Sequence, residues 1–291
     1  MKTGATILVF ALILFALRAE PGKPLPEPAE PKSIPGQTVG TPSCSARGCH
    51  GGDEPLPDKK IGRHEYSAWN YADPHTRSLQ VLITDPRSDD MVKRLHLAIP
   101  ASKEPRCLAC HSESASGDGP VVIGSVGCES CHGPAWLWLG PHTIGKENDW
   151  RSKFPDAAKT LVNVDDLAAV ARSCVACHIG APPVDGLGLR DMNHDMIAAG
   201  HPRLNFEFAG YLAQLPPHWN EKARPRSAEF YAGAWAVGQA VSAEAALNLL
   251  EYRAAHSPWP ELAEYACYAC HHDLAGPQGW RAELKSKGTL P

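Results

Sequence analysis

Residues 128–132 read Cys-Glu-Ser-Cys-His, and the same five-residue pattern returns at 107–111, 174–178 and 267–271. A looser version, Cys44 and Cys49 followed by His50, stands at the front. Together they use all 10 cysteines of the 291-residue chain. Cys-x-x-Cys-His is the attachment signature of c-type haem. Two thiols three residues apart lie on one side of a helical turn. They reach both vinyl groups of one flat porphyrin as thioethers, and the next residue brings an imidazole to the iron. Zinc sites combine two Cys pairs or a pair with distant histidines, and thioredoxin-like motifs occur singly. Neither places a His after every pair. The reading is five haems c, on Cys44/Cys49, Cys107/Cys110, Cys128/Cys131, Cys174/Cys177 and Cys267/Cys270. Their proximal iron ligands are His50, His111, His132, His178 and His271. The wider first spacing leaves a disulfide between Cys44 and Cys49 as an alternative, which would reduce the haem count to four.

Outward from the motifs, the N-terminus carries Lys2 and an apolar run from Ala5 to Leu17. That is signal-peptide length, too short and too soon interrupted by Arg18 and Glu20 for a comfortable membrane span. Residues 1–19 are read as a signal peptide, with an uncleaved anchor as the alternative. Residues 20–42 are a Pro-rich disordered tether, and 43–291 form the haem domain. Export agrees with the cysteines and points to a periplasmic or extracytoplasmic protein. About 50 residues per haem is too few for an ordinary aliphatic core. The expected fold is mainly α with much irregular chain, wrapped around closely packed haems. The 27 prolines and 25 glycines agree with it.

Helix signals are sparse but specific. Asp73-Pro74 opens a short helix through Leu82, and Asp85-Pro86 another to about Leu97. Asp165-Asp166 caps a helix that runs into Cys174. Residues 227–254 form the longest helix, a packing element or a homodimer face. Ser257-Pro258 caps a last helix carrying Cys267 and Cys270. A net charge of −4 without a basic patch argues against nucleic acid as a partner.

Fourteen histidines leave nine beyond the motifs. Low-spin haems take a second axial ligand, most often His or Met. His75, His142, His194 and His201 are the distal candidates. His218, in a Pro-Pro turn, is read as structural. His64, His96 and His256 are read as non-ligands, and His272 as pointing elsewhere. Four candidates for five haems leave one iron open.

Several segments resemble the multihaem cytochromes of the cytochrome c-554 group. They are Gly127-Cys-Glu-Ser-Cys-His-Gly-Pro-Ala135, Asp73-Pro-His75, Asn193-His-Asp-Met-Ile-Ala-Ala-Gly-His-Pro-Arg203, Leu215-Pro-Pro-His-Trp219 and Tyr268-Ala-Cys-His-His-Asp-Leu274. The likeness runs from about Ser43 to Leu274. It implies a mainly helical fold with stacked haem pairs and a soluble periplasmic electron carrier exchanging electrons with other redox proteins. It also implies one haem without a distal ligand. The type member has four haems, whereas this chain offers five.

Three functions follow from these readings. The first is an electron carrier with mostly bis-His haems. The second is a reductase of a nitrogen or sulfur oxide at a five-coordinate haem. The third is a subunit of an extracellular haem assembly, held near a membrane by its N-terminus. Pentahaem nitrite reductases carry a lysine in place of one motif His. All five motifs here end in His, so that enzyme is disfavoured.

Overall fold

The computed structural model describes residues 37–54, 56, 62–115, 121–145, 149–184, 187–219 and 226–271. The predicted signal peptide, most of the predicted tether and His272 lie outside the described residues.

Residues 37–42, expected in the tether, belong to the fold. Val39 and Gly40 donate their backbone N–H groups to the Glu129 carboxylate, with 2.7 Å from Gly40 to Oε2. Thr41–Cys44 then form a 3-10 turn with Thr41 buried. Pro42, in the first turn of that element, costs no hydrogen bond there.

Helices follow with caps supplied by their own sequence. After α1 (Glu65–Ala72), Asp73 caps a 3-10 turn, Pro74–Arg77, that leads into α2 (Ser78–Thr84). Asp85 accepts from the Arg87 N–H at the head of α3 (Pro86–Arg94). That helix stops three residues short of the expected end, where His96 takes a left-handed conformation (φ 52). Next come α4 (Pro105–His111), a hairpin of β1 (Glu113–Ala115) and β2 (Val121–Gly124), and α5 (Cys128–His132). Then follow α6 (Asp149–Lys153), α7 (Pro155–Thr160) and α8 (Leu167–His178). The Asp166 carboxylate accepts the Ala168 and Ala169 N–H groups, so α8 begins where the sequence predicts.

A second small hairpin, β3 (Gly180–Ala181) with β4 (Arg190–Asp191), precedes α9 (His194–Ala199) and α10 (Phe208–Gln214). The long helix α11 spans Ala228–Ala255, one residue from the expected bounds at each end. The chain beyond it departs from expectation. Prolines at 258 and 260 keep it extended. A 3-10 turn at Leu262–Glu264 follows, and helix α12 begins only at Cys267 and ends at Cys270.

The apolar core is split among the described residues into three small clusters. One joins α8, α10 and α11 through Ala171, Val175, Phe208, Leu212, Ala234 and Val241. The second gathers Ala135, Trp138, Trp150 and Ala157, and the third Leu82, Ala101 and Leu108. Trp235 and Leu247 on α11 stay exposed. No helix of the described residues is long and apolar enough to cross a membrane.

Gly238 sets the distance between α10 and α11. A Cβ there would lie 2.5 Å from Cβ of Phe208, itself 1% exposed. Gly→Ala in a helix gains roughly 0.5–1 kcal/mol, but overpacking a tight contact costs about 1–3 kcal/mol. Gly238→Ala is therefore expected to destabilise. At Gly233, five residues earlier, an added Cβ meets nothing within 4 Å, and Gly233→Ala is expected to stabilise. Urea midpoints of the haem-loaded protein should move in opposite directions. Equal shifts would refute the packing argument.

Candidate metal centres formed by five histidine pairs

Each motif closes a helix or turn. His111, His132 and His178 are the last residues of α4, α5 and α8, and His271 follows α12. The first cluster absorbs its two extra residues in a turn. Cys49 and Gly51 donate to the Ala46 carbonyl, and His50 donates back to Cys44. Cys44 and Cys49 are not joined in this structure, and the other eight cysteines are free as well.

The motif histidines all face a second imidazole. Ring centres are 6.3 Å apart for His50 and His142, 6.1 Å for His75 and His178, and 6.3 Å for His111 and His201. They are 6.4 Å apart for His132 and His218, and 6.2 Å for His194 and His271. The rings of His50 and His142 are near parallel at 7°, whereas those of His75 and His178 cross at 88°. Such separations lie at the long end of the range for ring contacts, about 4.5–7 Å. With metal–nitrogen bonds of about 2 Å and a ring nitrogen roughly 1.1 Å from its ring centre, two imidazoles on opposite sides of one iron stand about 6.2 Å apart. Among the described residues, no group of three or more His, Cys, Asp or Glu could hold a bare metal ion. A porphyrin iron needs only two axial ligands, so the residues present fit haem.

The structure brings together every predicted site histidine and adds one. His75, His142, His194 and His201 each face a motif histidine. His218, read as structural, faces His132. Four distal candidates therefore become five, and no motif histidine lacks a facing ring. His64 caps α1, His96 is exposed, and His256 stacks on Tyr252 at 4.0 Å. None of these three enters a pair with a motif histidine.

Local structure orients the rings. The Nδ1–H of His111 donates to the Ser78 carbonyl at 3.0 Å, and that of His142 to Trp138 at 3.0 Å. His201 donates to the Pro202 carbonyl and His218 to that of Pro216. His50 donates to Glu65 at 2.9 Å and His75 to Asp73 at 2.8 Å. Engaging Nδ1 fixes the tautomer and leaves Nε2 free to bind a metal. At Gly200 (φ 116) α9 ends in a left-handed turn, and the His201 N–H bonds back to Met196. That turn swings His201 away from His194 on the same short helix. His178 is steadied by Phe206 and Tyr211, at 5.1 and 5.2 Å between ring centres.

The electrostatics follow the same partners. Hydrogen bonding to Glu65 raises the His50 pKa, and Asp73 does the same for His75. Burial lowers His111, His178 and His218. Burial also pushes Glu113 up, against a hydrogen bond from Thr41. Glu113 and Thr41 together cap α5, accepting the N–H groups of Glu129 and Cys128 respectively.

Buried N–H groups without a protein partner border the pairs. Trp138 Nε1 belongs to the indole beside His142, 5.3 Å between ring centres, and Trp219 Nε1 to the indole beside His218, also 5.3 Å. Arg190 Nε is buried without a partner, and its guanidinium lies close to Cys177. An unpartnered buried donor is costly, and haem propionates are acceptors of the matching kind. Arg203 donates to Cys267 Sγ at 3.1 Å.

Helices closed by Cys-x-x-Cys-His and imidazoles paired across a metal's width are the arrangement that a c-type cytochrome needs. The family model of cytochrome c554 and c-prime matches residues 44–133, which hold the first three clusters. The match supports a c-type cytochrome of the c554 group, an electron carrier that binds haem c and exchanges electrons with redox partners. No curated protein matches the chain. No solved structure matches it either.

The fifth cluster hangs on buried charges. Glu261 accepts the His194 backbone N–H at 2.8 Å, tying the extended segment to α9. Arg253, with a 9% exposed side chain, pairs with Asp191 on β4 and with Glu264 before α12. Arg253→Met should cost about 3–5 kcal/mol, because it leaves a buried carboxylate unpaired. Residues 262–271 should then exchange amide hydrogens faster, which mass spectrometry reads directly. Unchanged exchange there would mean that other contacts hold the segment.

Proposed function

We propose that this chain is a periplasmic electron carrier with five haems c, each held by one of the five facing histidine pairs. The observation that carries this reading is the set of ring separations, 6.1–6.4 Å at every motif. Haem c, when bound, supplies a one-electron iron couple, and its potential is set by axial ligands, burial and hydrogen bonds. The chain's part is to attach, orient and shield. The ten cysteines would form the thioethers, the paired histidines would hold the irons, and Arg190, Trp138 and Trp219 would offer donors to the propionates.

The clusters are neighbours in an order that differs from the sequence. The Cys44 and Cys128 side chains are neighbours, joining clusters one and three. Ser173 reaches the Cys131 carbonyl at 3.5 Å, joining three and four. The Cys177 and Cys110 side chains are neighbours, joining four and two. Helix α9 carries His194 for cluster five, and the turn at its end carries His201 for cluster two. The file runs one, three, four, two, five, a layout suited to a relay between two redox partners.

The pairing favours electron carriage over chemistry at an open iron, because a facing imidazole occupies the side where a small oxide would bind. The expected pyridine haemochrome count is five per chain, with an all-low-spin electron paramagnetic resonance spectrum and no carbon monoxide binding. A count of four would remove Cys44/Cys49 from the set, and high-spin iron would overturn the bis-His reading. His218→Ala should convert one haem of the five to a high-spin, carbon monoxide-binding form.

A further inference from the structure

Two of the paired histidines, His50 and His75, lean on carboxylates. His50 donates Nδ1–H to Glu65 Oε2 at 2.9 Å, and His75 donates Nδ1–H to Asp73 Oδ1 at 2.8 Å. Both carboxylates are shielded, with side chains 19% and 4% exposed. Both are also held in place by backbone. Glu65 Oε1 accepts the Gly62 N–H at 2.6 Å and the Arg63 N–H at 3.2 Å, while Asp73 Oδ1 accepts the His75 N–H at 2.9 Å. The pair His111–His201 is built differently, since both of its rings donate to carbonyls.

An anionic acceptor on the far nitrogen draws the shared proton toward itself. The ring then becomes a stronger donor at Nε2. A stronger donor stabilises the oxidised iron over the reduced one, and shielding from water keeps the effect undiluted. Only an electron moves in that couple, and the proton stays in the Nδ1–H···O bridge.

We infer that Glu65 and Asp73 are positioning residues that set the redox ladder of this chain. They hold the irons of the His50–His142 and His75–His178 pairs at lower potential than that of the His111–His201 pair. This rests on the bis-His reading proposed above. In the order given there, the two lowered sites stand at the first and third places of the file. The second place between them is the His132–His218 pair.

The test is a spectroelectrochemical titration of wild-type, Glu65→Gln and Asp73→Asn proteins, each loaded with haem. The amides keep an acceptor and remove the charge. Each variant is expected to raise one of five potentials by about tenfold in the reduction equilibrium, about 59 mV for a one-electron couple. The other four should stay in place and all haems should stay low-spin. Five low-spin haems with unmoved potentials would overturn the inference and leave the bis-His reading standing. A wild-type protein without five low-spin haems would overturn that reading first. If a variant does not load, near-infrared magnetic circular dichroism of the wild type decides. At least two irons should show charge-transfer bands shifted by a stronger donor, and a single unsplit band would overturn the inference.

Discussion

Two imidazoles that share an iron must stand about 6.2 Å apart and point at each other. Five ring pairs at that spacing in one chain of modest size account for much of what the fold does. The motif helices end at the histidine they present or just before it. Loops are long because they carry a second ring to a place the first has fixed. The aliphatic clusters are small and separate, since they support ring positions rather than fill one large interior. Even the buried carboxylates serve this end. Glu129 gathers the backbone of residues 39, 40 and 135 around the third cluster, and Glu261 fastens the fifth to α9.

Much of this was legible in the sequence, wherever the signal was local. Cysteine spacing marks the attachment points because the chemistry needs two thiols on one turn. Asp73, Asp85 and Asp166 announce helix starts because a carboxylate satisfies backbone donors two or three residues away. The long helix α11 is rich in alanine and lies within one residue of its expected bounds.

Signals that depend on distant partners were not legible. His218 sits in Pro-Pro-His-Trp, which reads as a turn, and only the position of His132 gives it a role. Counting rings could have found it, since five motif histidines and four candidates leave a gap that one more His fills. Glu113 and Glu129 look like ordinary surface acids, because groups that hold them are far away in sequence. The stretch 37–42 reads as tether by composition, yet its N–H groups have an acceptor ninety positions downstream. After α11, the Ser-Pro pair resembles a helix start, but a second proline at 260 prevents the helix it promises.

The five ring pairs bind residues roughly 80–100 positions apart, a high contact order. Laid along the chain, their spans overlap without a gap: 50 to 142, 75 to 178, 111 to 201, 132 to 218, and 194 to 271. No cut between His50 and His271 spares every pair. The polypeptide is thus interlocked like shingles, each span holding down the edge of the next. Such a chain has no internal seam at which a module could be exchanged or a fragment released intact. A sixth cluster could be added at an end, where overlap begins or stops, without disturbing the five already laid.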